Sequence, residues 1–195
     1  MKLRLLFLFA ALPVLAGVAN VHRVPANCGS TRTALGPYGI ERWLDGKKWD
    51  VIHFNFGLHD LSYLFADDSD KDAAGNYATP HNGGRPNISP DRYAENLRTI
   101  IARLQQTGAK LIFATTTPVP EGDAGKYVRG SEAPYNDAAR AVMLAEGVVV
   151  NDLWAVALPR LAELQIPRNV HFHARGSAEL ARQVAAAIRA ALGTR

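Results

Sequence analysis

Apolar and polar positions alternate along the chain in two different periods. Residues 51–56, 110–116 and 148–150 form short, nearly unbroken apolar runs, the pattern of strands covered on both faces. Between the first two runs, Ser89 and Pro90 supply a cap and a first-turn proline. Leu97, Ile100, Ile101 and Leu104 then recur at helical spacing until Gly108. Further helices are predicted over 38–44, ending near Gly46, over 135–146, from a cap at Asp152 to about Leu164, and over 177–192. Strand and helix alternate, which predicts parallel strands joined by right-handed crossovers in one α/β domain. Trp43, Trp49 and Trp154 fall beside or inside helices, where packing explains them.

Two connections break this rhythm. Residues 67–87 are rich in Asp, Gly, Asn and Pro, and 118–133 form a second long polar stretch. Both would overhang the carboxyl edge of a parallel sheet and so bear on ligand choice. Asn87-Ile88-Ser89 has the form of a glycosylation sequon, weakened by the following Pro90.

Composition narrows the class. With 195 residues and 48% hydrophobic content the chain can bury a sizeable core, which excludes a disordered protein. Lys2 and Arg4 contribute to a formal charge of only +4, and the other basic residues are scattered, so no nucleic-acid partner is indicated. Cys28 is the only cysteine, which excludes an intrachain disulfide framework. Lys2 and Arg4 precede apolar residues 5–15, and Gly17-Val18-Ala19 has the small side chains of a cleavage site. Residues 1–19 therefore read as an export signal, leaving a domain over 20–195 that is secreted or periplasmic. The apolar stretch contains Pro13 and is too short for a stable membrane span. Residues 3–9 read equally as a buried strand, in which case 1–19 is the remnant of a first strand and the protein is cytoplasmic.

The chemistry concentrates at two places. In VIHFNFGLHDL, residues 51–61, an apolar run ends at Gly57 and presents His59 and Asp60 where parallel sheets build their sites. In NVHFHARGSAELA, residues 169–181, His171 stands on a loop ahead of the last helix, placed to act as a general base. His59, Asp60, His171 and His173 also permit a metal-site reading. His53 alternates within a strand and reads as a hydrogen-bonded core residue, while His22 and His81 read as surface positions.

Three short segments carry a resemblance. Asn27-Cys28-Gly29, Gly57-Leu58-His59-Asp60 and Val170-His171-Phe172 resemble, in order and spacing, motif blocks of the SGNH hydrolases, also called GDSL-type esterases and lipases. The resemblance implies a three-layer, flavodoxin-like α/β/α sandwich with a mostly parallel sheet. It further implies hydrolysis of an acyl or acetyl ester on a carbohydrate or small molecule, without a cofactor and through a serine acyl-enzyme. His171 would be the base, and the Gly29 N–H with His59 would form the oxyanion hole, His59 standing where the family usually has asparagine. Asn27, Gly57, Asp60 and Asn169 would support them.

The chain departs from the pattern twice. Arg168 stands where the family commonly has the acidic partner of the histidine, which leaves Asn169, Asp60 or Asp152 as candidates, with helix capping the preferred reading for Asp152. No Gly-Asp-Ser nucleophile block is present, and Ser30 reads as a loop or cap residue before it reads as a nucleophile. The alternative expectations are a non-catalytic ligand-binding relative and a truncated gene product.

Overall fold

The computed structural model describes residues 14–122 and 127–193. Residues 3–9, read above as signal core or first strand, lie outside them. Among the described residues the main sheet has three parallel strands, β1 (Val51–Phe54), β4 (Lys110–Ala114) and β5 (Val149–Asn151), in the order β1-β4-β5. Val51 faces Lys110 across one pairing and Ile112 faces Val149 across the other. A separate antiparallel pair, β2 (Tyr63–Leu64) and β3 (Arg85–Pro86), closes the 67–87 loop at its base.

The central strand explains why residues 111–114 are all apolar. Leu111 and Phe113 face one core, with Leu97, Ile100 and Ile101 of α3 (Pro90–Gln105) and Ala139, Val142 and Met143 of α4 (Glu132–Ala145). Ile112 and Ala114 face the other, with Leu153 of α5 (Leu153–Ala157) and Leu180, Val184 and Ile188 of α7 (Ala174–Leu192). Successive strand side chains point to opposite faces, so helices on both faces require an apolar residue at every position. The result is the expected three-layer α/β/α sandwich. Each fully buried Leu, Ile or Phe contributes about 1.5–3 kcal/mol by leaving water.

Some boundaries differ from expectation for local reasons. The helix expected from Asp152 to Leu164 breaks into α5, a 3₁₀ turn (Leu158–Arg160) and α6 (Leu161–Leu164), because Pro159 lacks the N–H that a continuous helix needs. Helix α4 starts at Glu132 rather than 135, and α7 starts at Ala174 rather than 177. Gly176 lies in that added first turn, where a Cβ would stand 2.2 Å from the Leu164 carbonyl oxygen. Two short helices, α1 (Thr31–Ala34) and α2 (Ile40–Leu44), precede β1. Leu15 is fully buried in the second core, and the Arg189 guanidinium donates to the Val14 carbonyl at 2.7 Å.

The direction of α7 matters for function. At the amino end of β4, Lys110 Nζ donates to the Ala191 carbonyl near the end of α7. Helix α7 therefore begins at the opposite, carboxyl edge of the sheet, which places the His171 loop there.

A polar chain crosses the α7 face of the sheet. Gln183 Nε2 donates to Asn151 Oδ1 at 3.2 Å, and Asn151 Nδ2 lies 3.1 Å from His53 Nε2. His53 is thus the hydrogen-bonded core residue expected, and burial pushes its pKa down to about 4. The unfolded chain takes up this proton near pH 6.5 and the folded chain only near pH 4. Stability from this group is therefore complete above pH 6.5 and lost as pH falls toward 4. Urea unfolding should show His53→Gln, which keeps an acceptor for Asn151, flattening this pH dependence by about 1–3 kcal/mol between pH 7 and 4.5. An unchanged pH slope in the variant would place the ring in water.

Candidate active site

The strand β1 delivers the first half of the site. After Asn55 and Phe56 the chain turns at Gly57, with φ of 149°, and a Cβ there would stand 2.0 Å from Thr116 Oγ1. No larger residue fits between β1 and the segment after β4. The Leu61 N–H then donates to the Gly57 carbonyl at 2.8 Å, closing a turn that carries His59 and Asp60.

Asp60 does not face the cleft. It is fully buried, and one carboxylate oxygen accepts from the Thr31 N–H at 3.0 Å and the Thr31 hydroxyl at 2.5 Å. Asn96 Nδ2 from α3 donates to the same hydroxyl at 2.9 Å. Burial raises the carboxyl pKa to about 6 against the lowering effect of the Thr31 hydrogen bonds. Asp60 is therefore the tie between the two motif segments and neither the acid partner of His171 nor a metal ligand.

Asn27, Gly29 and His59 come together as the resemblance implied, but through an unexpected intermediary. Gly29, at φ of 65°, donates its N–H to Asn27 Oδ1 at 2.9 Å, and Asn27 Nδ2 lies 3.2 Å from His59 Nε2. The His59 carbonyl accepts from Asn87 Nδ2 at 2.8 Å and from the Ser62 hydroxyl at 2.9 Å. Arg32 in turn donates to Asn87 Oδ1, so both ends of the Asn87 amide are engaged. Sequence reading offers Asn87 only as a sequon residue and gives Thr31 and Asn96 no role; the available signal for Asn96 is a polar residue on the buried face of α3.

Ser30 is the N-cap of α1 in a capping box with Thr33, and it is buried. It is a structural residue, as expected. His171 is exposed on the loop before α7, at the same edge of the sheet. Two contacts hold that loop against the segment after β4: Gln165 Nε2 donates to the Pro118 carbonyl at 2.9 Å, and Arg168 Nε to the Gly122 carbonyl at 3.0 Å.

None of the acid candidates meets the His171 ring. Asn169 Oδ1 accepts from the His171 main-chain N–H at 2.9 Å, which shapes the loop and leaves the imidazole alone. Asp152 caps α5, accepting from the Ala155 N–H, the Thr115 hydroxyl and Arg140. Burial pushes its carboxyl up, yet those bonds outweigh it and hold the group below the usual range. The metal reading of His59, Asp60, His171 and His173 fails as well, because no three metal-binding side chains converge among the described residues. His22 packs edge-on against Trp49, with ring centroids 5.5 Å apart, while His81 is exposed.

Asp60 and His53 titrate with opposite consequences. A carboxyl raised to about 6 from 3.8 contributes stability that is complete below pH 3.8 and lost as pH rises through 6. Asp60→Asn should remove that loss and expose the opposite His53 slope. Relative to wild type, its unfolding free energy should rise by about 1–3 kcal/mol between pH 4 and pH 7. A variant curve parallel to wild type across that range would show that Asp60 stays ionised throughout.

With the geometry in place, the chain can be set beside known proteins. The GDSL-like Lipase/Acylhydrolase family matches residues 8–179. An acetyl xylan esterase, AlAXEase, superposes with a TM-score of 0.67 at 16% identity, over 93% of this chain and 90% of that one. A lipase/acylhydrolase from Enterococcus faecalis gives 0.69 at 18% identity, over 94% and 85%. A variant of an acetyl-xylooligosaccharide esterase from Geobacillus gives 0.63 at 15%, over 97% and 80%. No curated protein sequence matches. At these identities the structures establish the shared fold, and the match over residues 8–179 establishes descent: the chain belongs to the GDSL-like lipase/acylhydrolase family.

Proposed function

We propose that the cleft at the carboxyl edge takes the acyl carbonyl of a small-molecule or carbohydrate ester, and that its reaction is hydrolysis with His171 as general base. The observation that carries this is the meeting of Asn27, Gly29 and His59 in one hydrogen-bonded group, with the Asn27 amide exposed. Donors placed where negative charge develops on a carbonyl oxygen are each worth about 3 kcal/mol of barrier. Names of two structural relatives, an acetyl xylan esterase and an acetyl-xylooligosaccharide esterase, support an acetyl group on a carbohydrate.

The attacking group in this reading is water. The Ser30 hydroxyl is spent on the α1 cap. His171 takes a proton as water oxygen bonds to the carbonyl carbon. The tetrahedral adduct then expels the alcohol oxygen, which receives that proton, leaving acid and alcohol.

A second reading, a non-catalytic ligand-binding relative, is favoured by Arg168. It occupies the family's acid position and is bonded to Gly122, so the described residues give the His171 ring no carboxylate. Retention of residues 1–19 is also part of the proposal, over loss as an export signal. What supports retention is Leu15, whose removal would open the second core.

Three measurements test these readings. Purified protein should release acid from a short-chain aryl acetate, and His171→Ala should drop the rate to background. Arg168→Asp should raise it about tenfold or more, since φ of 57° suits aspartate and a carboxylate would orient the imidazole. Equal rates in wild type and His171→Ala would leave only the binding reading, shown by thermal stabilisation with acetylated xylo-oligosaccharide. Intact mass of the expressed protein should include residues 1–19, and a start at Asn20 would establish export instead.

A further inference from the structure

The Gly29 N–H and the imidazole of His59 are the two groups the family resemblance makes carbonyl donors, and both are occupied by one side chain. A backbone N–H can only donate, so the Asn27 atom 2.9 Å from Gly29 N is the amide oxygen. This fixes the orientation of the carboxamide without reference to the histidine. Its nitrogen must then be the atom 3.2 Å from His59 Nε2, and an amide nitrogen only donates. Nε2 therefore carries a lone pair, and His59 is a neutral imidazole with its proton on Nδ1.

From this arrangement we infer that the second N–H of the Asn27 carboxamide is the carbonyl-binding donor of the cleft, with His59 as the acceptor that positions it. The Gly29 N–H is spent on the Asn27 oxygen, and Nε2 has no proton to give. The amide nitrogen has two hydrogens and His59 takes one, while Asn27 itself is exposed. Donation from Gly29 into the amide oxygen polarises the carboxamide and strengthens its remaining N–H as a donor. The partner for that donor is a carbonyl or carboxylate oxygen.

The position of the ring fits an aligning role. Its carbonyl is gripped by Asn87 and Ser62, and the neighbouring Asp60 is locked to Thr31, so the turn that carries the imidazole is fixed from three sides. The asparagine that the family usually places at position 59 is in effect supplied from position 27, and a histidine acceptor aims it. This explains how a ring with no proton on the relevant nitrogen can occupy an oxyanion position.

The tautomer follows from hydrogen bonding alone, whereas the meeting of the Asn27 N–H with an acyl oxygen rests on the proposed function. Long-range ¹H–¹⁵N spectra of the full chain at pH 7.5 should show His59 protonated at Nδ1 and bare at Nε2. Titration with an acetylated xylo-oligosaccharide should shift the Asn27 side-chain amide signals more than the Gly29 backbone amide. Asn27→Asp should switch His59 to a proton on Nε2 and weaken the probe's binding by about tenfold or more. Unmoved backbone signals in α3 and α7 would confirm that this variant is folded. A wild-type His59 protonated at Nε2, or a shift confined to Gly29, overturns the inference. The Nδ1–H form with no shift anywhere sinks the ester reading, and the donor role of Asn27 with it.

Discussion

The contact on which the site depends is the buried bond between Asp60 and Thr31. These residues lie 29 positions apart, and the carboxylate accepts both the N–H and the hydroxyl of a single threonine. Through it the turn after β1 and the start of α1 become one body, and Asn96 extends that body to α3. Burying a carboxylate is costly, as the rise of its pKa to about 6 records. What it gives in return is direction, because two donors on one residue fix an angle where an apolar contact would fix only a distance. Asn27 and His59, 32 positions apart, lie at hydrogen-bond range on the two segments tied this way.

Much of this was legible in the sequence, and the reasons differ by element. Apolar runs revealed the strands because helices cover both faces of the sheet, and Ser89-Pro90 marked the start of α3 because cap and proline both act locally. The break at Pro159 was visible too, but Leu158, Leu161 and Leu164 keep helical spacing through it, so periodicity masked the stop. Gly176 shows the opposite case. Its need for a missing Cβ comes from the Leu164 carbonyl on another element, and nothing local announces it.

The polar contacts were the least legible part of the site. Motif order placed Gly29, His59 and His171 at one edge, but which donor serves which acceptor depends on pairings across 28 to 65 positions, as in Asn87 with His59 and Asn96 with Thr31. Asp60 and Asn169 illustrate the consequence. Each looked from sequence like a partner for an imidazole, and each spends its oxygen on a backbone N–H instead. Short polar side chains next to tight turns find local or backbone partners first, because these require little chain ordering.

The two halves of the cleft are held by separate devices. The Asp60 and Thr31 tie, with Asn87 and Ser62, fixes the turn that carries His59. The His171 loop is fastened by Gln165 to Pro118 and by Arg168 to Gly122. Arg168 thus belongs to the fastening of the His171 loop. Arg168 even contributes to its own loop through a bond that a shorter acidic side chain would not make in the same way. Sites held by separate contacts tolerate substitution with nearly additive effects, and these two sets of hydrogen bonds share no residue. On the proposed function, recognition of an acyl group and its cleavage would rest on these two separate sets of contacts.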